Sequence, residues 1–120
     1  MKVVLYQDPQ GRSQIKEWLG RLKRDNPYLY TKAMWLLREF LPTAALQASS
    51  DQVKHIRGPI WEVRHRSGLR IYYWRQEEKL FVAAAGEVKS RSKADPSLVE
   101  YALRAYEEYN QKAKGRKEKP

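Results

Sequence analysis

The chain has 120 residues, 42 % of them hydrophobic and 32 % charged, with no cysteine. That profile suits one folded domain and excludes a disordered chain, a disulfide scaffold, thiolate metal sites and thiol catalysis. Lys and Arg outnumber Asp and Glu by 24 to 14, a formal net charge of +10, which is the expected footprint of a polyanionic partner, with solubility as the plainer alternative.

The charge is localised. Residues 1–52 carry +3, residues 53–93 carry +6, residues 94–110 carry −3 and residues 111–120 carry +4. The longest apolar run, Leu80 to Ala85, is too short to cross a bilayer. No basic, apolar, small-residue leader opens the chain, so a cytoplasmic protein without a membrane partner is expected.

In chain order, Lys2 to Tyr6 is short, β-branched and aromatic and ends at Asp8-Pro9, which predicts a first strand. Ser13 is a candidate N-cap, and Ile15, Trp18, Leu19 and Leu22 then share one helical face. Asp25-Asn26-Pro27 breaks this helix and starts a second, striped by Leu29, Ala33, Leu36, Leu37 and Phe40 and expected to stop at Pro42. Ile60 to Arg66, Leu69 to Trp74 and Lys79 to Glu87 read as three strands of an antiparallel meander. Pro96 opens a last helix carrying Leu98, Ala102, Ala105 and Tyr109, while Tyr101, Tyr106 and Tyr109 read as core or interface. Residues 111–120 lack an apolar anchor and read as a basic flexible tail after a single domain over 1–110. The expected architecture is α+β, with helices on one face of the sheet.

Strand alternation sorts the chemistry. Trp61, Val63 and His65 share one side, taken as core, and Glu62, Arg64 and Arg66 the other. Assigning Arg70 to the Arg64 side, because a charge avoids burial, brings Tyr72 and Trp74 with it. Guanidinium groups fork onto phosphate and flat rings stack on exposed bases, so this surface suits RNA; an ordinary solvated face with cross-strand ion pairs is the alternative. A second cluster, Lys89, Arg91 and Lys93, follows the last strand, where crowding with Arg64 and Arg70 disfavours the charged form of Lys89 and suits it to proton exchange. His65 reads as structural by parity, whereas His55, ahead of Arg57-Gly58-Pro59, is placed to reach the open face. No metal-ligand spacing, phosphate-cradling glycine loop or nucleophile elbow is present.

The stretch HIRGPIWEVRHRSGLRIYYW, followed by KLFVAAAGEVKSRSKADP and a helix, resembles the RelE/ParE toxin superfamily, most nearly its HigB branch, which includes phage-derived toxin-like proteins. The opening VVLYQDPQGRSQIKEWLGRL is similar to that branch as well, so the likeness covers about residues 2–109. It implies a RelE-like fold and the toxin of a type II toxin–antitoxin pair, a cofactor-free and metal-free endoribonuclease that cuts mRNA on the ribosome. Its implied partner besides the message is an antitoxin of the helix-turn-helix DNA-binding kind. The Trp-Glu-x-Arg strand of the branch matches Trp61, Glu62 and Arg64, and its phosphate-clamping arginine on the next strand matches Arg70. A glycine followed by basic residues matches Gly86, Lys89 and Lys93, with Pro96 opening the helix. Where many relatives carry a histidine and an aromatic beside that glycine, this chain has Ala85 and Glu87, and its loop lacks the tyrosine of some relatives.

Cleaving RNA without a metal takes one group for the 2′-hydroxyl proton, one for the 5′-oxygen, and positive charge for the phosphorane. The expected roles are Arg70 and Arg64 on the phosphorane, Lys89 in one proton transfer, and Glu62 or His55 in the other. Arg66, Tyr72, Trp74, Arg91, Lys93 and the tail are expected to hold RNA. Alternatives are a gyrase-directed toxin of the same fold and a non-catalytic nucleic-acid-binding protein.

Overall fold

A computed structural model of the protein describes residues 2–44, 52–89 and 93–118. The chain forms β1 (Lys2–Leu5), α1 (Gln14–Asp25) and α2 (Pro27–Trp35), then a π-helical turn (Leu36–Phe40) and a short α3 (Leu41–Ala44). Four strands follow, β2 (Val53–Arg57), β3 (Ile60–Arg64), β4 (Leu69–Glu77) and β5 (Leu80–Val88), and then α4 (Pro96–Glu118).

Local chemistry sets the helix ends. Ser13 caps α1: its hydroxyl donates to the Tyr6 carbonyl at 2.6 Å and accepts from the Lys16 amide at 3.2 Å. Asn26 both closes α1, donating its N–H to the Leu22 carbonyl, and caps α2 by accepting from the Leu29 amide. Pro42 does not stop the helical run as expected. Proline has no amide N–H to give the Arg38 carbonyl, and at the residue just before it the Leu41 N–H bonds the Leu36 carbonyl five residues back. The ladder is thereby widened, and the chain passes through Pro42 to Ala44.

The sheet has five strands in the order β1-β5-β4-β3-β2, with β1 parallel to β5 and every other pair antiparallel. The expected three-strand meander is therefore its centre. β2 is an added edge strand, hidden in the sequence because only Val53 and Ile56 of its five residues (VKHIR) are apolar and its pairing depends on the turn at Gly58-Pro59.

Helices cover both faces, not one. Ile15, Trp18, Leu19 and Leu22 of α1, with Leu36 and Leu37, bury Val63, Ile71, Tyr73 and Phe81. On the opposite face Val99, Ala102 and Ala105 of α4 pack over Tyr72, Trp74 and Val82. Small residues on both sides, Ala84 and Ala85 below and Ala102 and Ala105 above, let α4 lie close to the sheet, and Trp74 then meets Tyr106 edge-on at 5.5 Å. α4 also runs past Asn110 to Glu118, so helix extends into the segment read as a tail. Trp61, expected in the core, is 40 % exposed because it lies toward the β2 edge, beyond the reach of α1.

Candidate functional site: an arginine-lined hollow

The site forms where β3 turns into β4. Arg64 ends β3 and Arg70 lies second on β4, directly opposite one another in the ladder. The register therefore places Arg70 on the Arg64 side as expected, but not for the expected reason: Arg70 is only 5 % exposed, its charge buried against Glu62 and not left open to solvent. Two like charges face to face repel. Glu62, two residues before Arg64 on the same side and fully buried, supplies the counter-charge. Its Oε1 accepts from Arg64 Nε at 2.9 Å and lies 2.8 Å from Arg64 Nη2, while its Oε2 accepts from Arg70 Nη1 at 3.4 Å. One carboxylate thus orients two guanidinium groups. Fully buried and not among the residues that wall the adjoining hollow, Glu62 is placed to position the arginines rather than to meet a substrate, where the expected proton-transfer role would have put it.

Beside these arginines is a hollow of about 410 Å³ walled by Arg64, His65, Arg66, Ser67, Gly68, Arg70, Val88 and Lys89. The turn brings Lys89 there. Gly68 has φ +97°, and a Cβ on it would stand 2.7 Å from the Lys89 carbonyl oxygen. Only a glycine lets the turn lie against β5 this closely, and the Lys89 amide donates to the Gly68 carbonyl at 2.8 Å.

Gly86 fixes the preceding part of β5. A Cβ there would meet the Trp18 ring at 2.2 Å, so α1 packs directly on the strand. β1 pairs with β5 no further than Ala83, and beyond it the Gln14 side chain serves the open edge. Its Nε2 donates to the Gly86 carbonyl and its Oε1 accepts from the Gly86 amide, both at 2.8 Å.

His65, read as structural, is a wall of the hollow. Strand alternation ends with β3 at Arg64, so parity does not govern a residue in the turn. Its Nδ1 accepts from the Ser67 amide at 3.2 Å and pairs with the Ser67 hydroxyl at 2.7 Å. A backbone amide only donates, so the neutral ring carries its proton on Nε2. Burial, then Lys32 and Arg66, pushes its pKa below the ordinary histidine range, so the ring is neutral near pH 7.

Several expected site residues lie elsewhere. Tyr72 and Trp74 are fully buried beneath α4 and cannot stack on a base. The Tyr72 hydroxyl donates to Glu87 Oε2 at 2.6 Å and accepts from the Asp95 amide at 3.3 Å, tying the start of α4 to the sheet. Burial, reinforced by that bond to Glu87, raises its pKa far above the usual phenol value and keeps the donor proton in place. His55 pairs with Trp61 across β2 and β3, their ring centroids 5.1 Å apart, and so lies on the opposite sheet face from Glu62. It is Lys54 that shares the Glu62 register position. His55 therefore cannot serve the hollow. Arg66 is exposed at the rim; Lys93 is exposed on the approach to α4 and is not part of the wall. Arg91 and the end of the chain lie outside the described residues, as do the side chains of residues 112–118.

Among the described residues no three His, Asp or Glu side chains gather as metal ligands, and no helix is long and apolar enough to cross a membrane. Compared with protein-family models and with curated proteins, the chain matches none.

Proposed function

We propose that this protein is the toxin of a type II toxin–antitoxin pair and cuts mRNA on the ribosome without a metal, as its resemblance to the HigB branch of the RelE/ParE superfamily implies. The observation that carries the reading is the convergence of Arg64, Arg70 and Lys89, from three separate strand ends, on one hollow about 410 Å³ in volume. A phosphodiester placed there meets positive charge on several sides, and fixed charge on the developing oxyanions is the larger part of such catalysis.

The chemistry is an attack of the ribose 2′-oxygen on the adjacent phosphorus, with expulsion of the 5′-oxygen. The proton lost from the first oxygen is balanced by the one gained by the second, leaving a cyclic phosphate and a 5′-hydroxyl. Arg64 and Arg70 hold the phosphorane oxygens, neutral His65 donates Nε2–H to a non-bridging oxygen, and Lys89 gives a proton to the departing 5′-oxygen while solvent water takes the one from the 2′-hydroxyl. Arg66 at the rim holds neighbouring phosphates.

A second reading, a nucleic-acid binder without cleavage, is favoured by one observation: among the described residues no Asp or Glu walls the hollow, and Glu62 beside it is fully buried against the arginines. The two readings separate on ribosomes programmed with a defined message, probed by primer extension. Cleavage by the wild-type chain, lost in Lys89→Gln while RNA binding persists, supports the nuclease. Binding with no cut supports the second reading.

A further inference from the structure

A second hollow, of about 450 Å³, adjoins the first and shares Arg64, His65 and Arg66 with it; Trp35 and Gln52 complete its wall. Trp35 falls off the apolar stripe of its helix and is 42 % exposed, an unusual outlay for so large an apolar ring. Its position is built, not incidental. The π-helical turn begins at the next residue, and Phe40, at the end of that turn, supports the indole at 5.3 Å between centroids. His65 meets the indole edge-on at 6.5 Å, and the neighbouring cations are Lys32, which acts on His65, with Arg64 and Arg66.

An aromatic face ringed by cations and continuous with a phosphate-sized hollow matches a nucleotide, whose base is flat and whose backbone is anionic. We infer that the Trp35 hollow is a nucleobase subsite: a base flanking the phosphate held by Arg64 and Arg70 stacks on the indole. The inference rests on the reading of the first hollow as an RNA phosphate site and adds where the adjoining base lies. Arg64 and His65, common to both hollows, would then fix the spacing between base and phosphate. The exposed face of Trp35 explains why this chain needs no aromatic from β4, where Tyr72 and Trp74 are committed to α4.

The test is equilibrium binding of a six-nucleotide single-stranded RNA with 2′-O-methyl riboses, which cannot be cut, beside the same oligomer made abasic. Trp35→Ala is expected to weaken the base-bearing oligomer by roughly five- to one-hundred-fold and to leave the abasic one unchanged. Trp35→Phe, which keeps a ring and support from Phe40, should retain most of the affinity and guards against misfolding of the alanine variant. Equal binding of the base-bearing oligomer by wild type and Trp35→Ala, or equal loss of both oligomers, overturns the subsite. If Trp35→Ala spares both oligomers but abolishes binding of a protein partner, the hollow is a protein-docking site and the inference fails. A wild type that binds neither oligomer defeats the RNA reading itself, whereas binding that depends on Arg66 and not on Trp35 defeats only the subsite.

Discussion

Glu62 and Arg64, two residues apart on β3, are joined through one carboxylate oxygen that lies 2.9 Å from Nε and 2.8 Å from Nη2 of the guanidinium. Because the same carboxylate also reaches Arg70, the geometry of the hollow depends on a residue that does not face it. Glu62→Gln removes the counter-charge from two opposed arginines. Losing one partner of a buried pair costs about 3–5 kcal/mol, so the urea midpoint should fall markedly. RNA cleavage should fall too, with the shape of its pH profile retained, as expected of a buried carboxylate that only positions the arginines. A variant that loses one limb of the pH profile would show that Glu62 does exchange a proton.

His65 gives a pH signature. Its pKa lies below the ordinary 6.5 because of burial, then Lys32, then Arg66. A histidine depressed in the folded state contributes stability that is complete above the unfolded value and is lost as pH falls through the folded one. Stability should therefore decline on acidification below about 6.5, and less so in His65→Gln. Lys32→Gln should move the titration of the ring, followed by its proton resonances, upward while leaving it below normal, because burial is the larger cause. A titration unaffected by Lys32→Gln would place that cation too far away to matter.

Gly68→Ala sets a Cβ 2.7 Å from the Lys89 carbonyl oxygen at a φ of +97°. Backbone must shift at the point that holds Lys89 to the hollow. A loss of roughly 1–3 kcal/mol is expected, together with a fall in cleavage larger than the fraction unfolded accounts for. The thermal midpoint and the cleavage rate, measured on one preparation, check both. An unaltered rate in a folded variant would contradict the dependence of Lys89 on this turn.

Tyr72→Phe removes the 2.6 Å bond to Glu87 and the acceptor of the Asp95 amide. A hydrogen bond to a charged group contributes about 1.5–3 kcal/mol, so the variant should melt earlier. Its RNA affinity should match wild type. A weakened affinity at unchanged stability would return Tyr72 to the RNA surface.

Much of the frame was legible in the sequence. The cap at Ser13, the break at Asp25-Asn26-Pro27, the stripe through Ile15, Trp18, Leu19 and Leu22, and the central strands follow from local chemistry and period, and the structure has them. What depended on pairing between distant segments did not. Alternation along β4 correctly grouped Arg70 with Tyr72 and Trp74, yet it does not say that α4 arrives to cover only the last two. The alanines at 84, 85, 102 and 105 were the readable signal for that close approach. The two histidines show the limits differently: His65 lies one residue past its strand, in the turn, and His55 lies on a strand that went unseen, whose pairing with Trp61 sets it on the other sheet face. Trp35 was visible as an aromatic off the helical stripe, but the widened turn that sets it beside His65 comes from Pro42, which read as a stop.

The most direct measurement is primer extension on a defined message in purified programmed ribosomes, comparing wild type with Arg70→Ala, and with Arg70→Lys as a variant that keeps a buried cation against Glu62. Discrete cuts by the wild type, absent with Arg70→Ala and strongly reduced with a folded Arg70→Lys, are the predicted result. Intact message with the wild type, or the same cuts at the same rate with Arg70→Ala, would contradict the assignment of this hollow to RNA cleavage.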